Sequence, residues 1–141
     1  MILAGACDTS VLSNGMNASF VLGQPDYVTA TPLCSTTKMS SPTGVAVDAP
    51  GKRLYVTDSG NHRVMVYDTT SLSNGMAAIK FLGEWTGCTS GTTQSLMTNP
   101  KGVDFHPTSY KLFVADTGNN RVLVFTVGSG GSTTTNGMIA A

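Results

Sequence analysis

Asp58, Asn61 and Arg63 recur fifty-eight positions later as Asp116, Asn119 and Arg121. In each set a carboxylate precedes a turn glycine, Gly60 or Gly118, and a guanidinium follows it. That spacing can tie a hairpin together through charge-assisted and side-chain-to-backbone hydrogen bonds. Recurrence favours a scaffolding role, because a reactive site needs one such arrangement whereas a scaffold needs it in every repeat. The competing reading makes Asp58, His62 and their equivalents metal or substrate ligands facing a channel, but Asn120 stands where the second copy would need His62. The remaining histidine, His106, takes the place of Asp48. Zinc chemistry needs three or four convergent ligands, which two histidines at unlike repeat positions do not supply within one chain. The sequence has no Gly-x-Ser-x-Gly elbow, phosphate-binding loop or EF-hand loop. No catalytic residue, cofactor-binding residue or metal ligand is therefore assigned. Trp85 is a single aromatic, better suited to filling a core or interface than to stacking on a ligand.

Composition narrows the classes further. The 141 residues carry a formal net charge of zero and only 11% charged side chains, which argues against nucleic-acid binding through a basic surface. No apolar run approaches the roughly 18 residues of a membrane-spanning helix, and no basic stretch precedes an apolar one as in an intact signal peptide. Cys7, Cys34 and Cys88 allow one internal disulfide in three possible pairings, a bond between chains, or three reduced thiols. Asn17-Ala18-Ser19 matches the N-glycosylation acceptor pattern. Low charge with abundant Ser and Thr suits an extracellular or cell-surface protein.

The elements that must position these residues are repeated. DTSVLSNGM from Asp8 matches DTTSLSNGM from Asp68, sixty residues on, and Thr135-Asn136-Gly137-Met138 is a partial third copy. At the same displacement Ser19-Phe20-Val21-Leu22-Gly23 falls on Ile79-Lys80-Phe81-Leu82-Gly83. Short β-branched and aromatic runs, separated by Gly, Asn, Asp, Pro and Ser, predict four strands per repeat. In the first repeat these are 44–48, 53–57, 63–67 and 79–84; in the second, 102–106, 111–115 and 121–126. Four antiparallel strands recurring at this period predict all-β propeller blades.

Pro42-Thr43-Gly44-Val45-Ala46-Val47-Asp48 followed by LYVTDSGNHRVMVYD from Leu54, and its second copy from Pro100, is similar to the NHL repeat, a blade type of β-propellers. The long spacer, with Ser-Asn-Gly-Met before one strand and Val-Leu-Gly-Gln-Pro-Asp after it, resembles long-period arrays of microbial extracellular or cell-surface proteins. The resemblance implies a binding or structural module, since only some such propellers are enzymes. One zinc lyase of the family acts on peptidyl-hydroxyglycine with histidines from several blades, and no matching set stands in this sequence.

Three segments follow: a partial blade at 1–24, a first repeat with its preceding loop at 25–84, and a second repeat lacking its last strand at 85–141. Segment 2–7 aligns with a third strand and 19–23 with a fourth. The expectation is a head-to-tail homo-oligomer in which the N-terminal strands of one subunit complete the second blade of the next, closing into a ring or propagating as a filament. Ile2, Leu3, Phe20, Val21 and Leu22 are the candidate donors, and Val122, Val124 and Phe125 the receivers. The alternatives are a fragment of a larger propeller that binds a protein or other ligand, and a lyase or hydrolase with a metal site formed between chains. Loops 26–41 and 84–99 are the candidate recognition surfaces, being long, polar and different between the copies.

Overall fold

The computed structural model describes residues 13–84 and 87–128. Seven strands make two antiparallel sheets. The first holds β1 (Pro42–Asp48), β2 (Arg53–Asp58), β3 (Arg63–Asp68) and β4 (Lys80–Gly83), in that order. The second holds β5 (Pro100–His106), β6 (Lys111–Asp116) and β7 (Arg121–Thr126). Each sheet is a meander of neighbouring strands, the form of a propeller blade. Ile2, Leu3, Cys7 and Trp85 lie outside the described residues.

The turns explain why the strands pair as they do. Between β1 and β2 the Asp48 carboxylate accepts from the Gly51 amide at 2.8 Å, and Lys52 takes the left-handed conformation at φ 52°. Between β5 and β6, His106 replaces that acceptor: its Nδ1 takes the Ser109 amide at 3.3 Å, and Tyr110 adopts φ 51°. His106 is thus a turn cap in place of an aspartate. Between β2 and β3 a short 3-10 turn, Ser59–Asn61, ends on His62 at φ 58°, and Thr117–Asn119 ends on Asn120 at φ 54°. The second position shows what the first requires, since asparagine is among the residues that most readily adopt a left-handed backbone. A bulge between Pro42 and Gly44 recurs between Pro100 and Gly102.

The principal core lies between the two sheets. Alternation along β2 and β3 turns Tyr55, Val64 and Val66 of blade 1 toward blade 2, where they meet Phe105, Leu112, Val114, Leu123 and Phe125. Tyr55 and Phe105 stack with ring centroids 6.1 Å apart. Polar groups line the same contact. The hydroxyls of Thr43 and Thr57 lie 2.8 and 3.1 Å from the Lys101 carbonyl, and the Ser59 hydroxyl bonds the Pro100 carbonyl. Arg53, 1% exposed, donates to the Val127 carbonyl at 2.9 Å. This face of a blade, turned toward the following one, is called its front and the other its back. A second cluster, on the back of blade 1, gathers Val56, Met65, Tyr67 and Phe81 beneath Leu22, Met39, Met76 and Ala78.

Two expectations need correction. Segment 19–23 is not in a strand; instead Val21 is held by the turn at residues 73–76, with its amide on Asn74 Oδ1 and its carbonyl receiving the Gly75 amide, each at 3.0 Å. Phe125 is fully buried between the blades, because alternation places it on the face opposite Val122 and Val124, so its side chain cannot receive a partner. Val122 is 61% exposed and Val124 half-buried.

Candidate functional site

The recurring polar set does more than tie its own hairpin. Asp58 ends β2 and Arg63 opens β3, so the antiparallel register sets them opposite each other. Arg63 Nε meets Asp58 Oδ2 at 2.8 Å, and Asn61 Nδ2 bridges both carboxylate oxygens at 3.0 and 2.9 Å. From this knot bonds reach into the loop before β1. The Ser40 amide donates to Asp58 Oδ1 at 2.6 Å, Arg63 Nη2 donates to the Ser35 and Lys38 carbonyls, and Asn61 Nδ2 also reaches the Leu33 carbonyl at 3.1 Å. The Arg63 guanidinium lies 4.7 Å from the centroid of the Phe81 ring, a cation–π arrangement.

The second repeat rebuilds the knot. Arg121 Nε meets Asp116 Oδ2 at 2.7 Å, Asn119 Nδ2 meets the same oxygen at 2.8 Å, and the Thr98 amide donates to Asp116 Oδ1 at 2.7 Å. Arg121 then gathers three carbonyls, those of Thr92, Thr93 and Leu96, at 2.6 to 2.9 Å. Asn119 Nδ2 reaches the Gly91 carbonyl at 2.7 Å. Each knot thus fastens the long loop that enters its own repeat. The loops differ in sequence, yet each presents a backbone amide to the aspartate and carbonyls to the asparagine and arginine, which is why the set recurs while the loops do not.

A disulfide joins the loops to each other. Cys34 and Cys88 are bonded, with Cα atoms 6.2 Å apart. Sequence alone left three pairings open; the one observed joins the two loops that the knots fasten. His62 adds a further link, its Nδ1 accepting the Asn99 amide at 3.1 Å where the chain enters β5. A ligand role for His62 would compete with that bond. Among the described residues no three His, Cys, Asp or Glu side chains converge as metal ligands.

The loop face so built is polar at its rim and apolar in places. Val28 and Leu33 are exposed at 90% and 52%. An open groove of about 400 Å³ runs between Leu22, Gln24, Pro32, Met39 and Pro42. Asp26 caps a loop turn through the Thr29 and Val28 amides, and these bonds, that of Thr29 foremost, hold its carboxyl below the usual carboxylate range. Asn17 of the glycosylation triplet is exposed. Such rigidly fastened, variable loops on a sheet scaffold can recognise a partner. Among the described residues no helix is long and apolar enough to cross a membrane.

Paired meanders, the recurring Asp-Asn-Arg knot and the front-to-back packing are features consistent with β-propeller blades. Residues 39–67 match the NHL repeat family. It is 33% identical over 88 residues to NHL repeat-containing protein 2 of Gallus gallus and 32% identical over 88 residues to the protein of that name of Homo sapiens. The aligned stretch is 62% of this chain and 12% of each relative, so the chain spans about an eighth of the length of these curated proteins.

Proposed function

We propose that the chain is a non-catalytic, protein-binding propeller module whose principal partner is a further copy of itself, joined front to back. One observation carries this reading. Tyr55, Val64 and Val66 on the front of blade 1 are wholly buried by blade 2, whereas their equivalents on the front of blade 2, Phe113, Val122 and Val124, are 38% exposed, 61% exposed and half-buried. Phe113 and Val122, with Gly102, Asp104 and Ala115, line an open apolar groove of about 310 Å³. The back of blade 1 offers a matching surface, with Val45 and Val47 exposed at 66% and 59%. The contact is heterologous, so it closes into a ring or propagates as a filament. Ala115 stands where Thr57 does and Lys101 where Thr43 does, so apolar burial rather than a hydroxyl relay holds it. The Cys34–Cys88 disulfide supports an extracellular or cell-surface location. The stapled loop face is then free for other protein partners.

Sedimentation velocity at several concentrations tests the reading. The chain should form species heavier than 14.6 kDa, and Val122→Asp should return it to monomer while keeping its far-ultraviolet spectrum. A monomer at every concentration would sink self-association. It would favour the second reading, blades of a longer propeller covering both faces, which the greater length of the relatives supports.

A further inference from the structure

Segment 20–23 already sits on the back of blade 1 as β4 sits against blade 2. Gly23 and Gly83 both have a left-handed backbone, φ 82° and 96°, and both are closed over by a methionine. A Cβ at Gly23 would meet Met39 Cγ at 2.8 Å, and one at Gly83 would meet the Met97 methyl at 3.0 Å. Met39 and Met97 are equivalent, fifty-eight residues apart. Leu22 joins the cluster around Met39, and Leu82 joins the one around Met97. The segment therefore occupies, relative to blade 1, the seat of the last strand of a preceding blade.

Its backbone is bonded on one edge. Val21 bonds the turn at Asn74 and Gly75, and the Gly23 carbonyl accepts the Met39 amide at 3.2 Å. The amides and carbonyls of the alternate residues, Phe20 and Leu22, bond no described residue. Phe20 and Leu22 thus keep backbone groups free to pair, while Val21 and Gly23 are bonded within their own chain. β7, for its part, has no fourth strand among the described residues, whereas its counterpart β3 pairs with β4.

We infer that segment 20–23 of one copy is the fourth strand of blade 2 in a second copy. The β3–β4 register fixes the pairing. Arg63↔Gly83, Val64↔Leu82, Met65↔Phe81 and Val66↔Lys80 become Arg121↔Gly23, Val122↔Leu22, Leu123↔Val21 and Val124↔Phe20. Leu22 then lies beside Val122 on the front of blade 2, as Leu82 lies beside Val64, and keeps its packing on Met39 of its own chain. One strand thus serves two copies: its backbone completes one blade and its side chain remains in the core of the other. This partner assignment rests on the self-association proposed above and specifies the strand that accomplishes it.

Mixing two variants, Leu22→Cys and Val122→Cys, each in a Cys7→Ser background that leaves one cysteine beyond the Cys34–Cys88 bond, tests it, because neither variant can form the 22–122 bond within one chain. Mild oxidation of the mixture should give a reducible species of twice the 14.6 kDa chain mass, several-fold more abundant than from Leu22→Cys with Val124→Cys, whose register is two residues off. Unmodified protein run alongside by sedimentation velocity separates the two claims. Association without the 22–122 cross-link overturns strand donation and leaves face-to-face packing standing. Equal cross-linking of both pairs overturns the register, and a strictly monomeric chain overturns both claims. Circular dichroism of each variant confirms that the tested chains are folded.

Discussion

Asp58 and Arg63 meet Oδ2 to Nε at 2.8 Å with their side chains 0% and 1% exposed, while the equivalent Arg121 of the Asp116–Arg121 pair is 30% exposed. The geometry of the two knots is nearly the same, so exposure decides their different worth. Removing one partner of a buried pair leaves an uncompensated charge and costs about 3–5 kcal/mol. Removing Arg121 also strips a buried carboxylate, Asp116, of its countercharge, but water that already reaches the guanidinium can take its place, so the cost is smaller, on the order of 1.5–3 kcal/mol. Arg63→Ala should therefore lower the urea midpoint clearly more than Arg121→Ala. Equal losses would mean that the loop carbonyls, three on Arg121 and two on Arg63, matter more than the ion pair.

The Cys34–Cys88 bond closes a loop with a sequence separation of 54 residues that includes all of blade 1. The chain-entropy account gives a bond closing a loop of this size about 4 kcal/mol of stability. Reduction should lower the melting temperature and speed proteolysis within 26–41 and 87–99 before the strands are cut. The paired variant Cys34→Ser, Cys88→Ser should match the reduced protein and show no further response to reductant. An unchanged melting temperature on reduction would show that the Asp, Asn and Arg anchors hold the loops without the staple.

Strand positions were legible from the sequence because each is a β-branched or aromatic run between turn residues. The reading of 53–57 and 63–67 lies within one residue of Arg53–Asp58 and Arg63–Asp68. The Asp-Asn-Arg spacing was legible too, but its reach was not. Its loop partners are backbone carbonyls, at Ser35, Lys38, Thr92, Thr93 and Leu96, which leave no mark on residue type. For the same reason the hydroxyl relay through Thr43, Thr57 and Ser59 was missed: its acceptors are the carbonyls of Pro100 and Lys101. The signal that could have found it is the replacement of Thr57 by Ala115 at an otherwise matched position. Segment 19–23 looked like a strand by its match to 79–83, yet strand pairing also needs a neighbour, which the match does not specify.

Tyr67 gives the fold an alkaline limit. Burial, with the Asp58 carboxylate adding to it, pushes its phenol well above the ordinary tyrosine range. Below about pH 10 both folded and unfolded chains keep the proton, and Tyr67 adds no pH dependence. Above that value the unfolded chain releases the proton while the folded chain retains it, so stability falls as pH rises toward the folded value. Tyr55 is shifted in the same direction, chiefly by burial. Tyr67→Phe should flatten part of this alkaline loss in denaturant titrations at pH 9 to 11. At neutral pH it should change little, by about 1 kcal/mol or less, because among the described residues the hydroxyl reaches only Met65 Sδ, at 3.6 Å.

Gly44 and Gly102 separate folding from association, since they are equivalent residues on the fronts of the two blades. A Cβ on Gly44 would lie 2.6 Å from the Lys101 carbonyl oxygen, which belongs to the backbone of blade 2 and cannot turn aside as a side chain would. Gly44→Ala must push the blades apart, disturbing the hydroxyl relay and the Tyr55–Phe105 stack, and should cost about 1–3 kcal/mol as an overpacked contact. A Cβ on Gly102 meets only Ala115 Cβ at 3.6 Å, an ordinary contact, so Gly102→Ala should leave the melting temperature of the isolated chain unchanged. If a second copy packs there as blade 2 packs on blade 1, the same methyl group would press on that copy's backbone. Gly102→Ala should then weaken association in sedimentation velocity without loss of fold, the reverse of what Gly44→Ala does first. Full association by the Gly102→Ala variant would mean that whatever covers blade 2 does not approach it as closely as blade 2 approaches Gly44.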